Sequence, residues 1–410
     1  MKTRRMALVV IIVFVLPLLV TNVFAQQVKN DAILSQYIKE ADGSSGQNAN
    51  AGSGIKTGHI QDGAVIDAKI TGPISSAKIQ RPANLIVVAK SGGDFSDPAA
   101  AVNSIIGASA TTPYLVKIMP GVYTVTSPIQ MKSFVDIEGS GQENTIITST
   151  IAHDDLVCIY DYPGPERATV VMAANAKISN IRVENKSNLG GIAILIRQPS
   201  SQVENVTAEA SGTGDDCARG CFDYTAISVN GPAATGIVLK NVKAIARKLN
   251  PTDCNNPRAI MLVNGSETTV LNSMATASGG GTWARGIAIW DGGDNLLTTA
   301  AIRDCVFEAS NPRPDGGTAA AIYGFATNAT VDGTKAIVHD SEYCAAIDSV
   351  TTVMHSEARV ANCTVESFGI VYTAKVASTL IENGNVPNAL QSLDKVVNCW
   401  DENFDPIPNK

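Results

Sequence analysis

Ile178-Ser179-Asn180-Ile181, Val203-Glu204-Asn205-Val206, Leu239-Lys240-Asn241-Val242 and Val270-Leu271-Asn272-Ser273 share one form: an apolar residue, any residue, Asn, then a small or apolar residue. The form continues at Ile302-Arg303-Asp304-Cys305, Val338-His339-Asp340-Ser341, Val360-Ala361-Asn362-Cys363 and Val397-Asn398-Cys399. Successive Asn or Asp positions are 25, 36, 31, 32, 36, 22 and 36 residues apart. Between them lie runs with a period of two, Ile192-x-Ile194-x-Ile196, Ile227-x-Val229 and Ile287-x-Ile289, separated by Gly, Asn and Pro turns.

No helical pattern of any length intervenes, which excludes a βαβ sheet. Strands that recur with variable insertions, each unit unable to bury its own face, predict a solenoid. Coils of this length predict an all-β, right-handed parallel β-helix over residues 83–386. Asn or Asp suits a tight bend, because it tolerates left-handed backbone and hydrogen-bonds neighbouring peptide groups. The eight positions therefore need no functional reading.

A solenoid leaves open strand edges that invite aggregation, so its ends need covers. Asp97-Pro98-Ala99-Ala100-Ala101-Val102 carries an N-cap residue followed by Pro at the first helical position. It predicts a short helix over the N-terminal edge. Pro387–Leu393 and the tail to Lys410, residues 387–410, are the matching candidate cap.

Upstream, Ile55, Ile60, Val65, Ile70, Ile74 and Ile79 recur every five residues with one four-residue step, each two places after a small residue. The pattern resembles pentapeptide repeats. Over residues 55–82 it makes too little core to stand alone. The segment is an oligomerising stalk, with a trimer as the candidate number, or a cap on the following domain, or an extended linker. Residues 26–54 are rich in Gly, Ser and Asn and read as a flexible linker.

Met1–Arg5 is basic and Met6–Val20 is apolar and uncharged, with Val23-Phe24-Ala25 placing small residues before a cleavage site. Residues 1–25 thus read as a secretory signal peptide, the alternative being an uncleaved anchor. Nothing else in the sequence reads as a membrane span. Export implies an extracellular, cell-surface or periplasmic protein. Eight cysteines in an oxidising compartment permit disulfides. Cys217, Cys221 and Cys254 lie in polar, loop-like stretches where a bridge fits; Cys305, Cys363 and Cys399 read as buried small hydrophobes.

With 45% hydrophobic and 17% charged residues the chain can bury a sizeable core. The formal charge is −7; without Lys2, Arg4 and Arg5 it is 28 basic against 38 acidic groups, or −10. A chain of that sign lacks the basic footprint of nucleic-acid binding, and it repels an anionic polysaccharide unless a metal bridges the two.

From Val87 to Thr148 the sequence resembles the opening of pectin methylesterases and related pectin-lyase-like β-helices. The carrying residues are Val88-Ala89-Lys90-Ser91-Gly92-Gly93-Asp94-Phe95, Ala101-Val102 and Tyr114-x-Val116-x-Ile118-x-Pro120-Gly121-Val122-Tyr123. Ile137-x-Gly139-x-Gly141 and Thr145-Ile146-Ile147 complete them. The resemblance implies the fold and its first coils. That family's catalytic motifs, built on Gln-Ala-Val, Gln-Asp-Thr and Asp-Phe-x-Phe-Gly, are not matched. Val125 stands where the family carries an acidic residue.

Gly214-Asp215-Asp216-Cys217 is similar to the paired-aspartate motif of polygalacturonase-type glycosidases, which share the fold. Inverting hydrolysis needs one carboxyl as acid and another as base, and Asp215, Asp216 and Asp223 are the candidates. The family's Gly-His-Gly and Arg-Ile-Lys are not matched. A solvated turn, or a calcium site at Asp215 and Asp216, competes with the catalytic reading; no other cofactor is indicated.

A second cluster is Trp283, Arg285, Trp290 and Asp291. With Ile287 and Ile289 facing inward, Trp290 faces outward or sits at a corner. Exposed Trp beside carboxylates suits a sugar ring; packing beneath a loop is the alternative. Arg258, Arg285 and Arg303 suit lyase-type bases only where they share a cleft with acids. The expected function is a secreted glycan-binding or structural module with a polysaccharide or cell-surface glycan as partner. A polysaccharide hydrolase or lyase with a divergent acidic site is the alternative.

Overall fold

The computed structural model describes residues 84–407 apart from 153–166, 215–222, 251–255, 292–295, 314–315, 326, 372, 374, 384–389, 392–394, 398 and 401–405. The expected signal peptide (1–25), linker (26–54) and pentad segment (55–82) lie outside these residues.

The chain winds as a right-handed parallel β-helix, the hand that parallel crossover connections take. Each coil contributes to three faces. The first stacks Leu85–Val88, Tyr114–Ile118 and Val135–Glu138, and later Ile237–Lys240, Glu267–Leu271, Thr298–Arg303 and Thr327–Asp332. The second stacks Gly121–Val125 on Thr145–Ser149, and later Lys243–Lys248, Met274–Gly279 and Val306–Ser310. The third stacks Val170–Met172, Gly191–Ile196, Tyr224–Asn230, Pro257–Val263, Trp283–Trp290 and Thr318–Phe325. Some strands run through a corner: Lys177–Asn185 and Gln202–Gly212 serve the first and second faces, Lys335–Asp348 and Glu357–Val371 the second and third.

Inside, like stacks on like. On the third face Ile194, Ile227, Ile260, Ile287, Ile322, Ile347 and Ile370 form one ladder, each directly over the next. All seven are fully buried. Burying one such side chain contributes about 1.5–3 kcal/mol, so the column is a main source of cohesion between coils.

The corner between the first and second faces explains the recurring Asn. Asn180, Asn205, Asn241, Asn272 and Asp304 take φ of 48–54° there, the left-handed region that Asn and Asp tolerate. Asn241 Nδ2 donates to Asn205 Oδ1 at 3.0 Å, so those two neighbouring members are also bonded through their side chains. Beyond Asp304 this corner continues through Gly333, His355 and Ser378. Asp340 and Asn362, read in sequence as the same column, turn the next corner instead, between the second and third faces. Asn362 Nδ2 donates to Asp340 Oδ1 there at 3.1 Å. Any corner with positive φ selects the same residue types, which is why the two columns look alike in sequence.

The predicted helix is present at Pro98–Ser104, with the Asp97 side chain accepting from Ala99 N at 2.8 Å. Its Ala101 and Val102 are buried in the core beside the first strands. Gly139 must be glycine, because a Cβ there would meet Asn180 O at 2.4 Å. At the other end Leu390–Gln391 and Lys395–Val397 lie in parallel register with earlier coils, and Cys399–Trp400 pairs antiparallel with Pro406–Ile407.

One cysteine reading needs correction. Cys363 is not a buried small hydrophobe but is bonded to Cys344, joining neighbouring coils where the register shifts near Ser341 and Tyr343. Cys305 and Cys399 are buried as expected.

Candidate functional site

The outer surface of the third face carries the unusual chemistry. Each of its strands keeps the isoleucine of the ladder inward and turns the residue after it outward. That outward row reads Leu195, Ser228, Met261, Ala288, Tyr323 and Asp348. Alternation breaks just before each isoleucine, where Ala193, Ala226, Ala259 and Ala321 also turn into the core, so that the residues two places before form a second outward row, Ile192, Thr225, Arg258, Arg285 and Ala320. At the far edge Val263, Trp290 and Phe325 are aligned.

Arg258 and Arg285 are thus stacked on consecutive coils, roughly 4.8 Å apart along the strand-pairing direction. They are only 3% and 5% exposed. Two buried like charges at that spacing need compensation. Arg258 forms a buried ion pair with Asp223. Asp223 Oδ1 accepts from Asn256 N, and Asn256 Oδ1 accepts from Trp283 N, each at 2.8 Å. The carboxylate is therefore tied to three successive coils.

Arg285 is compensated by aromatic faces. Its guanidinium carbon lies 3.9 Å from the Tyr323 ring centre, 4.7 Å from that of Trp283 and 5.8 Å from that of Trp290. Arg258 reaches the Trp290 ring from 5.6 Å. Cation–π attraction of this kind strengthens when water is excluded. Trp283 and Tyr323 are 6.5 Å apart and tilted by 50°.

Asp348 stands next to Tyr323 in register. Burial pushes its carboxyl above the ordinary range, and the Ser349 hydroxyl and the charge of Arg285 offset part of that rise. Asp291 is buried at the end of the Trp283–Trp290 strand.

The sequence candidates Asp223, Trp283, Arg285, Trp290 and Asp291 all belong to this one face or its margin, together with Arg258. Trp290 faces outward as expected, and it also packs on Met261 and Val263, so it is half-buried. Arg303 does not join them: it is exposed on the first face, between Leu271 and Asp332 in register. Asp215 and Asp216, the other catalytic and calcium candidates, lie outside the described residues. Sequence reasoning missed Tyr323, Phe325, Asn256 and Asp348. The available signal was the residue after each ladder isoleucine, which in Ile322-Tyr323 and Ile347-Asp348 occupies the same outward row as Ala288.

No family model and no curated protein matches the chain. Among solved structures it is similar to the A-module of the mannuronan C-5 epimerase AlgE6 of Azotobacter vinelandii, at 14% identity and a TM-score of 0.45 over 74% of this chain and 88% of that one. The pectate lyase Pel9A is similar at 11% identity and 0.43, over 76% and 79%. The pectin methylesterase PemA of Erwinia chrysanthemi is similar at 11% and 0.34, over 80% and 85%. The chain shares the parallel β-helix fold.

Proposed function

We propose that the protein is an exported glycan-binding module and that the outer surface of its third face is the binding site. The observation that carries this reading is the placing of aromatic side chains on consecutive coils. Trp283 and Trp290 stand on one, Tyr323 and Phe325 on the next, and Tyr343 on the one after. Coils repeat about every 4.8 Å, close to the length of one pyranose residue in a polymer. Trp290 and Phe325, register partners on neighbouring coils, repeat at that spacing, and such a pair, on a face that also carries carboxylates, suits stacking on sugar rings and accepting hydroxyl hydrogen bonds. Export is supported by the basic and apolar N-terminal run and by the Cys344–Cys363 disulfide, which belongs to an oxidising compartment. Assembly through residues 55–82 is proposed on their pentad pattern alone.

A polysaccharide array tests the reading. Phe325 is 57% exposed, so Phe325→Ala leaves the core intact. Loss of one stacking contact predicts roughly tenfold weaker binding. No binding to any polysaccharide overturns the proposal.

One observation favours a second reading, a polysaccharide hydrolase or lyase with a divergent acidic site. Burial raises the Asp348 carboxyl, the direction of shift a general acid needs, whereas Asp223 lies four coils away, roughly 19 Å at about 4.8 Å per coil, and is too distant to be its partner carboxylate. Product release from a polysaccharide panel, abolished by Asp348→Asn, decides for this reading; release unaffected by that change decides against Asp348.

A further inference from the structure

We infer that the glycan taken by this face is an uncharged polysaccharide, not a polyuronate. The inference rests on the binding reading above and adds the chemical class of the ligand.

A chain of uronates carries a charge on every sugar, and its recognition needs cations free to pair with carboxylates, ideally Arg in a bidentate fork. The cations of this face are already engaged. Arg258 is held by Asp223. Turning it toward a ligand would leave a carboxylate that is 2% exposed without its counter-charge. Arg285 lies beside the Tyr323 and Trp283 rings and is only 5% exposed, so little of its guanidinium fork is open to a ligand carboxylate.

The exposed side chains point the same way. On the strands from Trp283 to Val371 of this face, the exposed residues are Phe325, Tyr343 and Glu366. Tyr343 and Glu366 are register partners on neighbouring coils. Phe325 marks one edge of the face and Tyr343 with Glu366 the other, so a ligand crossing the face meets two aromatic rings and one carboxylate. The chain as a whole has a net charge of −7, which repels a polyanion further. Stacking on ring faces together with carboxylate acceptors fits hydroxyl-rich neutral sugars.

The test is affinity electrophoresis of the full chain in gels containing neutral polysaccharides (laminarin, mixed-linkage glucan, xylan, galactomannan) or polyuronates (polygalacturonate, alginate). Each gel is run at low and high salt and with and without calcium. The expected result is retardation by at least one neutral polymer, insensitive to salt and weakened roughly tenfold in Phe325→Ala. Retardation by a polyuronate equal to or stronger than by every neutral polymer, with or without calcium, overturns the inference and leaves glycan binding standing. Retardation by no polymer of either class overturns the binding reading itself.

Discussion

The guanidinium of Arg285 lies 3.9 Å from the ring centre of Tyr323, whose register neighbour on the following coil is Asp348. The cation, the ring and the acid are therefore one unit built across three coils. Removing any member has consequences for the other two.

Asp348 shows this most simply. The charge of Arg285 lowers a pKa that burial raises above 3.8. Arg285→Met is expected to raise it further, read by NMR titration of the aspartate carboxyls; an unchanged or lower value contradicts the coupling. Because the folded carboxyl binds its proton more tightly than the unfolded one, the contribution of Asp348 to stability is greatest in acid and is lost as pH rises through the folded pKa. Asp348→Asn removes that penalty. It is expected to raise the melting temperature at neutral pH, with the gain shrinking in acid.

The Asp223–Arg258 pair is buried on both sides. Asp223→Asn leaves a guanidinium without its counter-charge and is expected to cost about 3–5 kcal/mol in denaturant unfolding. Asp223→Asn combined with Arg258→Met removes both charges and is expected to recover most of that loss. Additive losses contradict the pairing.

At the first corner, Asn272 holds φ of 48°. Asn272→Val forces a β-branched residue into the left-handed region and is expected to cost about 1–2 kcal/mol or more, whereas Asn272→Gly costs less than about 1 kcal/mol. Equal effects of the two changes would mean that the Asn side chain, not its backbone, decides.

The corners also mark the boundary of what sequence could disclose. Apolar-x-Asn is a local signature of a bend, and it correctly implied a coiled solenoid with Asn180, Asn205, Asn241, Asn272 and Asp304 in one column. It does not say which bend a residue occupies, so Asp340 and Asn362 look in sequence like members of that column though they turn the next corner, and Gly333, His355 and Ser378, which do belong to it, lack the signature. Cys344 and Cys363 pair because their coils are neighbours, a relation of register and not of spacing. Trp283, Arg285 and Trp290 were legible because they crowd into eight residues of one strand. Asp348 is 63 residues from Arg285 in sequence, and only the stacking of coils brings the two together.

His339 gives a pH response of the opposite origin. Its ring nitrogens contact Glu308 at 2.8 Å and Asp340 at 2.7 Å. Burial alone would lower its pKa, but the two hydrogen bonds and the two carboxylate charges outweigh it, and the value is raised above 6.5. A raised folded pKa means that the contribution to stability is complete below the ordinary value and is lost as pH rises through the folded one. His339→Gln should therefore narrow the difference in melting temperature between mildly acidic and mildly alkaline buffer. A difference identical to that of the unaltered chain contradicts this.

The account turns on whether a glycan lies against the aromatic outer surface of the third face. Intrinsic tryptophan fluorescence during titration with a neutral oligosaccharide reads that contact directly, because Trp283 and Trp290 border it. A saturable change in emission that disappears in the Trp283→Phe, Trp290→Phe double variant is the predicted result. Binding, confirmed by calorimetry, that leaves the emission of the unaltered protein unchanged would place the ligand elsewhere and contradict it.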